Sequence, residues 1–109
     1  MAYDVSLAER IREHLSLREE VTERSMFGGI AWMVRGNMAC GVLGDELIVR
    51  VGPEEGEKAL AEPHTRPFDF TGRPSRGIVY VSAQGIEDDE VLAGWIDAGA
   101  GHAGSLPPK

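Results

Sequence analysis

The side chains of this sequence best suited to binding chemistry are a group of arginines with one aspartate among them. Three of the arginines fall within positions 66 to 76, and a fourth ends a strand-like run that could neighbour them. Guanidinium groups that converge on one edge can hold a carboxylate, a phosphate or a partner's acidic patch through paired hydrogen bonds. The binding-site hypothesis therefore comprises Arg50, Arg66, Asp69, Arg73 and Arg76. The favoured alternative is a solvated face on which these arginines pair with Asp69, Glu46 and other acids.

Cysteine and histidine, which carry most catalytic and metal chemistry, form no recognisable pattern. The single cysteine, Cys40, lies in the middle of a strand-like run, and a buried structural thiol is favoured over a nucleophile. His14, His64 and His102 lie on different elements, without HExxH spacing and without a CxxC pair. We therefore predict no catalytic residue, no metal site and no cofactor, and we favour a protein that is not an enzyme.

Length and composition fit one globular domain over residues 1–109, since 42% of the residues are hydrophobic and 27% are charged. Asp and Glu number 18 against 11 Lys and Arg, which gives a net charge of −7 and disfavours direct binding of nucleic acid. One cysteine excludes a domain held together by disulfides. No apolar run approaches the ~18 residues of a membrane helix, and the first twenty residues do not resemble a signal peptide. We expect a cytoplasmic protein with no membrane partner.

Apolar residues at helical spacing predict three helices. A capping box at Ser6 predicts the start of the first helix, and Pro53, followed by two acids, predicts the start of the second. Aspartates open the third helix, and its glycines are expected to fray or end it. The predicted segments are residues 6–19, residues 53–61 and a helix from Asp88 that ends near Gly99 and Gly101, with residues 105–109 as a tail.

Five runs with strand-like composition lie between these helices. The first three are joined by short turns rich in Gly, Asn and Asp, which predicts an antiparallel meander. In the first run, Ile30, Trp32 and Val34 lie on one face of the strand, and Ala31 and Met33 lie on the other. Residues 20–25 are mostly polar and are not assigned a strand. The prediction is a two-layer α+β domain with a five-stranded antiparallel sheet, helices on one face and the order α-β-β-β-α-β-β-α. The five predicted strands are residues 30–34, 38–43, 46–51, 67–70 and 77–81.

Short motifs along nearly the whole chain match one known family. They are RSMFGG at 24–29, GNMACG at 36–41, LIVRVG at 47–52, RPFDFTGRP at 66–74, GIVYV at 77–81, Trp95 and SLPPK at 105–109. On these motifs the chain resembles a stand-alone N-terminal domain of the TfoX/Sxy family, the bacterial competence regulators. The resemblance implies a two-layer α/β domain of the order given above. The family has no established catalytic residues to carry over.

The Met-Phe-Gly-Gly motif also has a structural interpretation. Met26 and Phe27 are expected to fill the gap between the first helix and the sheet. Gly28 and Gly29 would let the chain turn sharply into the first predicted strand without a side-chain clash. On this interpretation the motif marks the fold rather than a ligand site.

Two functions stay open at this point. The favoured function is a non-enzymatic, cytoplasmic regulatory module that binds a protein partner, with self-association as a homodimer through the outer sheet face or a sheet edge. The alternative is a small-anion or metabolite binder, with or without catalysis, that uses the arginine-rich edge. The partner, the ligand and the pathway are not identified by the sequence.

Overall fold

The computed structural model describes residues 3–26, 28–69, 72 and 75–108, and for residue 75 it describes the backbone alone. Within these residues the chain forms helices and strands in the order α, four strands, α, two strands, α. The helices are α1 (Val5–His14), α2 (Gly56–Ala61) and α3 (Asp89–Ser105), with a 3-10 turn (Ala83–Ile86) before α3. The strands are β1 (Val21–Met26), β2 (Gly29–Val34), β3 (Asn37–Leu43), β4 (Glu46–Arg50), β5 (Thr65–Phe68) and β6 (Ser75–Val81).

All strands pair antiparallel in one sheet with the order β1-β2-β3-β4-β6-β5. The predicted α+β class and meander are confirmed, but the sheet has six strands rather than five. The additional strand is β1, within the stretch that was considered too polar for a strand. It lies at the edge of the sheet and its central residues are exposed, so its sequence lacks the apolar alternation by which strands are recognised.

The three helices pack on one face of the sheet, as predicted. Ile30, Trp32 and Val34 of β2 point to this face together with Leu47 and Val49 of β4. Each helix contributes buried residues to the same core. Those residues include Leu7, Ala8 and Ile11 of α1, Ala59 of α2, and Leu92, Ile96, Ala100 and Ala103 of α3.

The opposite face of the sheet, here called the open face, carries a smaller apolar cluster. Its buried members are Ile48, Phe68 and Tyr80, and the rings of Phe68 and Tyr80 lie 5.1 Å apart at 50°. The partly buried Met38, Leu43 and Ile78 pack against them. None of the described helices contributes a residue to this cluster.

The first helix begins and ends earlier than predicted. Its N-cap is Asp4, whose carboxylate accepts a hydrogen bond from the amide of Leu7 at 3.1 Å, so the predicted capping box at Ser6 is wrong. Asp and Ser are about equally favoured at the N-cap position. This helix uses Asp4, which is the nearer of the two to the start of the chain. The helix ends at His14, and a turn connects it to β1. Similarly, α2 begins at Gly56, three residues after the predicted start at Pro53.

The last helix runs through its glycines to Ser105, so the predicted end near Gly99 and Gly101 is wrong. Gly99 is buried against β3, where a Cβ atom would lie only 2.3 Å from the carbonyl oxygen of Ala39. The glycine therefore permits a close approach of α3 to the sheet. After the helix, the carbonyl oxygen of Pro107 accepts a hydrogen bond from Nδ2 of the buried Asn37 at 2.9 Å, which holds the tail against the turn before β3.

The turn between β1 and β2 has the backbone that its glycines predict. Gly28 has a φ of +80°, and a Cβ on Gly29 would lie 2.0 Å from the carbonyl oxygen of Val42. Met26 is half-buried at the end of β1. The predicted strand 67–70 is wrong in its bounds, because β5 runs from Thr65 to Phe68 and Asp69 lies beyond it. Other predictions lie outside the described residues, namely the packing of Phe27 and the turn residues Thr71, Arg73 and Pro74.

Two glycines of α3 provide a matched test of the helix-to-sheet packing. Gly99→Ala is expected to lower the free energy of unfolding by about 1–3 kcal/mol, because the added methyl group would push α3 away from β3. Gly101→Ala, where a Cβ meets nothing within 4 Å, is expected to raise it by up to about 1 kcal/mol through helix propensity. Urea titrations of both variants measure the difference. Similar effects of the two substitutions would contradict the close approach.

Candidate binding surfaces

Arg66, on β5, has a guanidinium group that is already occupied. Its Nη2 donates to Glu46 Oε1 at 2.5 Å, and its Nη1 lies 3.8 Å from Asp69 Oδ1. The guanidinium carbon also lies 3.9 Å from the centre of the Tyr80 ring, a cation–π contact. The hydrogen bond to Glu46 is the main reason why the pKa of Arg66 is raised. For this arginine the structure favours the ion-paired, solvated interpretation.

Arg50 lies on the same open face, at the end of β4. It is opposite Ile78 of β6, whereas Arg66 is opposite Tyr80, two residues further along β6. Strand spacing and rise put the Cα atoms of Arg50 and Arg66 on the order of 12 Å apart. Arg50 is half-buried and makes no ion pair within the part of the chain that the structure describes. Its guanidinium is therefore available for an anion, whereas that of Arg66 is held by Glu46 and Asp69.

Arg76 lies on β6 and is exposed. It lines a cavity of about 310 Å³ together with Pro53, Leu60 and Pro67, between α2 and the β5–β6 edge of the sheet. Arg73 lies outside the described residues. Of the five residues in the sequence hypothesis, the structure thus brings Arg66 and Asp69 together with Glu46, places Arg50 on the same open face as Arg66, and places Arg76 at the cavity beside α2.

A second cavity, larger than the one beside Arg76, was not predicted from the sequence. It has a volume of about 730 Å³ and lies between α2 and α3, and we call it the α2–α3 groove. Its apolar walls include Ala59 of α2 and Val91 and Trp95 of α3. Val91 is 47% exposed, although it belongs to a helix that is otherwise rich in buried residues.

Charged residues surround the α2–α3 groove. Glu55, Lys58 and Glu62 lie along α2 and its ends, and Asp97 lies on α3. Lys58 Nζ is 3.9 Å from Glu55 Oε2, and Asp97 Oδ1 is 2.9 Å from Nε2 of His14. Three carboxylates against one ammonium group leave the rim acidic. His102 also lines the groove.

A signal for the groove was present in the sequence of α3. Val91, Leu92, Trp95 and Ile96 form an apolar stripe that is two residues wide at each turn. In the structure Leu92 and Ile96 face the core and are buried, whereas Val91 and Trp95 face the groove. The apolar stripe of α3 is wider than its contact with the core requires, and this extra width indicates the groove.

Cys40 is completely buried, as predicted for a structural thiol. It lies on β3 within the helix-side core, and burial raises the pKa of its thiol to about 12. Thiolate formation at neutral pH is therefore suppressed.

The described residues form neither a metal-binding cluster nor a helix that could span a membrane. Among residues 3–26, 28–69, 72 and 75–108, no group of three or more His, Cys, Asp or Glu side chains is placed to hold a metal ion. None of the helices in this part of the chain combines the length and the apolar character needed to cross a bilayer.

The fold and its surfaces define the class of the protein. It is a small two-layer α+β domain with an open antiparallel sheet and a groove of about 730 Å³ between two of its helices. The family model described as "TfoX N-terminal domain" matches residues 13–103, most of the chain, and the chain therefore belongs to the TfoX N-terminal domain family. The resemblance found in the sequence is confirmed. Searches of curated proteins and of solved structures give no match.

Cys40 provides a test of the burial described above. We expect a thiol-specific dye to label Cys40 in the native protein roughly a thousandfold more slowly than in urea, because labelling requires the core to open. The measurement is the labelling rate at neutral pH in each condition. Similar rates in native buffer and in urea would show that the thiol is accessible in the folded state.

Proposed function

We propose that this domain is a regulatory module that acts by binding a protein partner, and that the α2–α3 groove is its binding surface. The observation that carries the proposal is the groove itself, with a volume of about 730 Å³ and a partly exposed apolar wall. Large apolar cavities with a few polar groups at the rim are the usual places where proteins bind ligands and peptide segments. Membership of the TfoX N-terminal domain family supports a regulatory role in the cytoplasm, of the competence type.

The chemistry of the groove favours a basic amphipathic segment as its occupant. An apolar side chain of the partner could contact Val91 and Trp95, as in helix-in-groove recognition. The acidic rim, at Glu55, Glu62 and Asp97, would attract lysines or arginines on the same segment. The net charge of −7 would further raise the rate of encounter with a cationic partner.

A second candidate function is the binding of a small anion on the open face. The observation that favours it is the half-buried Arg50, which has no ion pair among the described residues. Arg66 lies on the same face, but an anion there would have to compete with Glu46 and Asp69. A phosphate or carboxylate bound by Arg50 through two hydrogen bonds would give its guanidinium group a counter-ion.

A pair of model peptides tests the groove. We expect an amphipathic Leu/Lys peptide to bind and to shift the fluorescence emission of Trp95, and we expect a Leu/Glu peptide of the same length to fail. Glu62→Lys is expected to weaken binding of the Leu/Lys peptide about fivefold to tenfold, because it replaces an attraction at the rim with a repulsion. Titration followed by fluorescence gives the Kd of each complex.

The control for this experiment is Glu57→Lys. This variant changes the net charge by the same amount and lies on α2, which Glu62 directly follows, but Glu57 does not line the groove. We expect it to change the Kd by less than about twofold. Equal binding of both peptides, or equal effects of the two lysine variants, would contradict the proposed groove.

A thermal-shift panel of phosphates and small carboxylates tests the anion function. An anion at roughly 100 times its Kd adds about 2.7 kcal/mol of stability, which for a domain of this size raises Tm on the order of 10 °C. We expect Arg50→Gln to remove the shift and Arg76→Gln to retain it. No shift with any anion, or a shift that Arg50→Gln leaves intact, would exclude this site.

A further inference from the structure

The two edges of the sheet differ in how they are protected. At one edge, β5 has four residues, contains Pro67 and has a register shift between Pro67 and Phe68. Short length, proline and bulges are the usual devices that keep an edge strand from pairing with another chain. At the other edge, β1 has six residues without proline, and it pairs with β2 without a register shift. The edge formed by β1 is therefore open to a further strand.

The alternation of backbone bonds shows which groups of β1 point outwards. The amide of Arg35 donates to the carbonyl oxygen of Glu20 at 3.0 Å, which continues the β1–β2 ladder by one pair. Bonded pairs alternate in an antiparallel ladder, so the even-numbered residues of β1 bond to β2. The amide and carbonyl groups of Val21, Glu23 and Ser25 then point away from the sheet. No described residue bonds to them.

The side chain of Glu23 fixes this edge in place. Its carboxylate accepts a hydrogen bond from the indole Nε1 of the fully buried Trp32 at 3.2 Å and forms an ion pair with Arg12 of α1. The hydrogen bond from Arg12 is the main reason why the pKa of Glu23 is lowered. The strand is thus held to the core and to α1 before any partner arrives, and little ordering is needed on binding.

We infer that β1 pairs antiparallel with β1 of a second copy of this chain, about a two-fold axis at Thr22. Val21 of each copy would then exchange backbone hydrogen bonds with Glu23 of the other, about four bonds in all. Thr22 would lie opposite itself, a favourable cross-strand pair. Glu20 of each copy would lie opposite Arg24 of the other.

Charge favours this register over those with the axis at Glu23 or Arg24. An axis at Glu23 would place Glu23 opposite itself, and an axis at Arg24 would place Arg24 opposite itself, and like charges directly opposite one another are destabilising. With the axis at Thr22, two pairs of opposite charge form instead. Glu20 and Arg24 are both exposed, and neither has an ion pair within the described residues, so both are available for this contact.

The resulting dimer would have one continuous sheet formed from the two six-stranded sheets. A two-fold axis perpendicular to the sheet keeps the helices of both copies on one side and both open faces on the other. The α2–α3 grooves stay accessible, because α2 contacts β5 and β6 at the far edge. The dimer would offer two grooves to a partner with two binding segments, which strengthens binding through avidity. This inference concerns the β1 edge alone. If the dimer does not form, the proposed function of the α2–α3 groove is unaffected, and if the groove binds no partner, the dimer is unaffected.

Charge reversal at positions 20 and 24 tests the pairing. We expect the wild-type protein to show a concentration-dependent monomer–dimer equilibrium in sedimentation at ~0.15 M salt. Glu20→Arg and Arg24→Glu are each expected to weaken self-association at least about tenfold, because each places like charges opposite one another. An equimolar mixture of the two variants is expected to dimerise again, since every facing pair is then of opposite charge. The double variant E20R/R24E is expected to behave like the wild type.

Matched controls change the same charges elsewhere. Glu57→Arg and Arg76→Glu alter the net charge equally but lie near α2, and both are expected to dimerise like the wild type. Circular dichroism checks that every variant is folded. The inference is overturned if the wild-type protein is a monomer at all concentrations, if the single variants dimerise normally, or if the mixture of variants stays monomeric.

Amide hydrogen exchange tests the register in the wild-type protein, without any substitution. In the monomer the outward amides of Val21 and Glu23 are expected to exchange rapidly. At high protein concentration they should become protected, whereas the amide of Thr22, already bonded to β2, should change little. Protection that does not depend on concentration would overturn the inference.

Discussion

The close approach of α3 to the sheet at Gly99 is the contact on which much of this structure depends. With no side chain at that position, the helix backbone lies directly on β3 beside Ala39. Leu92, Ile96 and Ala100 of the same helix then reach the core. Because α3 lies over β3 and β4 while α2 lies over β5 and β6, a space is left between the two helices. That space is the α2–α3 groove, so the packing that stabilises the domain also creates this cavity.

The surfaces of the domain differ in charge, and this difference gives each a distinct chemistry. The helices and the loops beside them carry most of the acidic residues, and three of these surround the groove. The open face carries arginines beside an apolar cluster, and there the half-buried Arg50 contrasts with Arg66, which is held by Glu46, Asp69 and the ring of Tyr80. The β1 edge is distinguished by unpaired backbone groups. Each of these surfaces therefore suits a ligand of different chemistry.

Some predictions from the sequence succeeded because their signals are local. The meander of β2, β3 and β4 follows from alternating apolar residues and from turns rich in Gly, Asn and Asp, and the structure confirms it. Others failed because tertiary contacts outweighed a local signal. Gly99 and Gly101 suggest a helix end by propensity, but packing of Gly99 against the sheet carries α3 through to Ser105. The polar β1 has no apolar pattern of its own, and it forms because β2 provides a ladder for it.

The sequence by itself determined the family, the α+β class, the helix-covered face of the sheet and the burial of Cys40, because each depends on residue type and short-range spacing. Only the tertiary structure decided which residues share a surface. It placed Arg50 and Arg66 on the open face and Arg76 at the cavity beside α2, although β6, which carries Arg76, lies between β4 and β5 in the sheet. It also brought Glu55 and Glu62 together with Trp95, from segments more than thirty residues apart in the sequence. Such neighbours are set by strand order and helix packing, which no local pattern encodes.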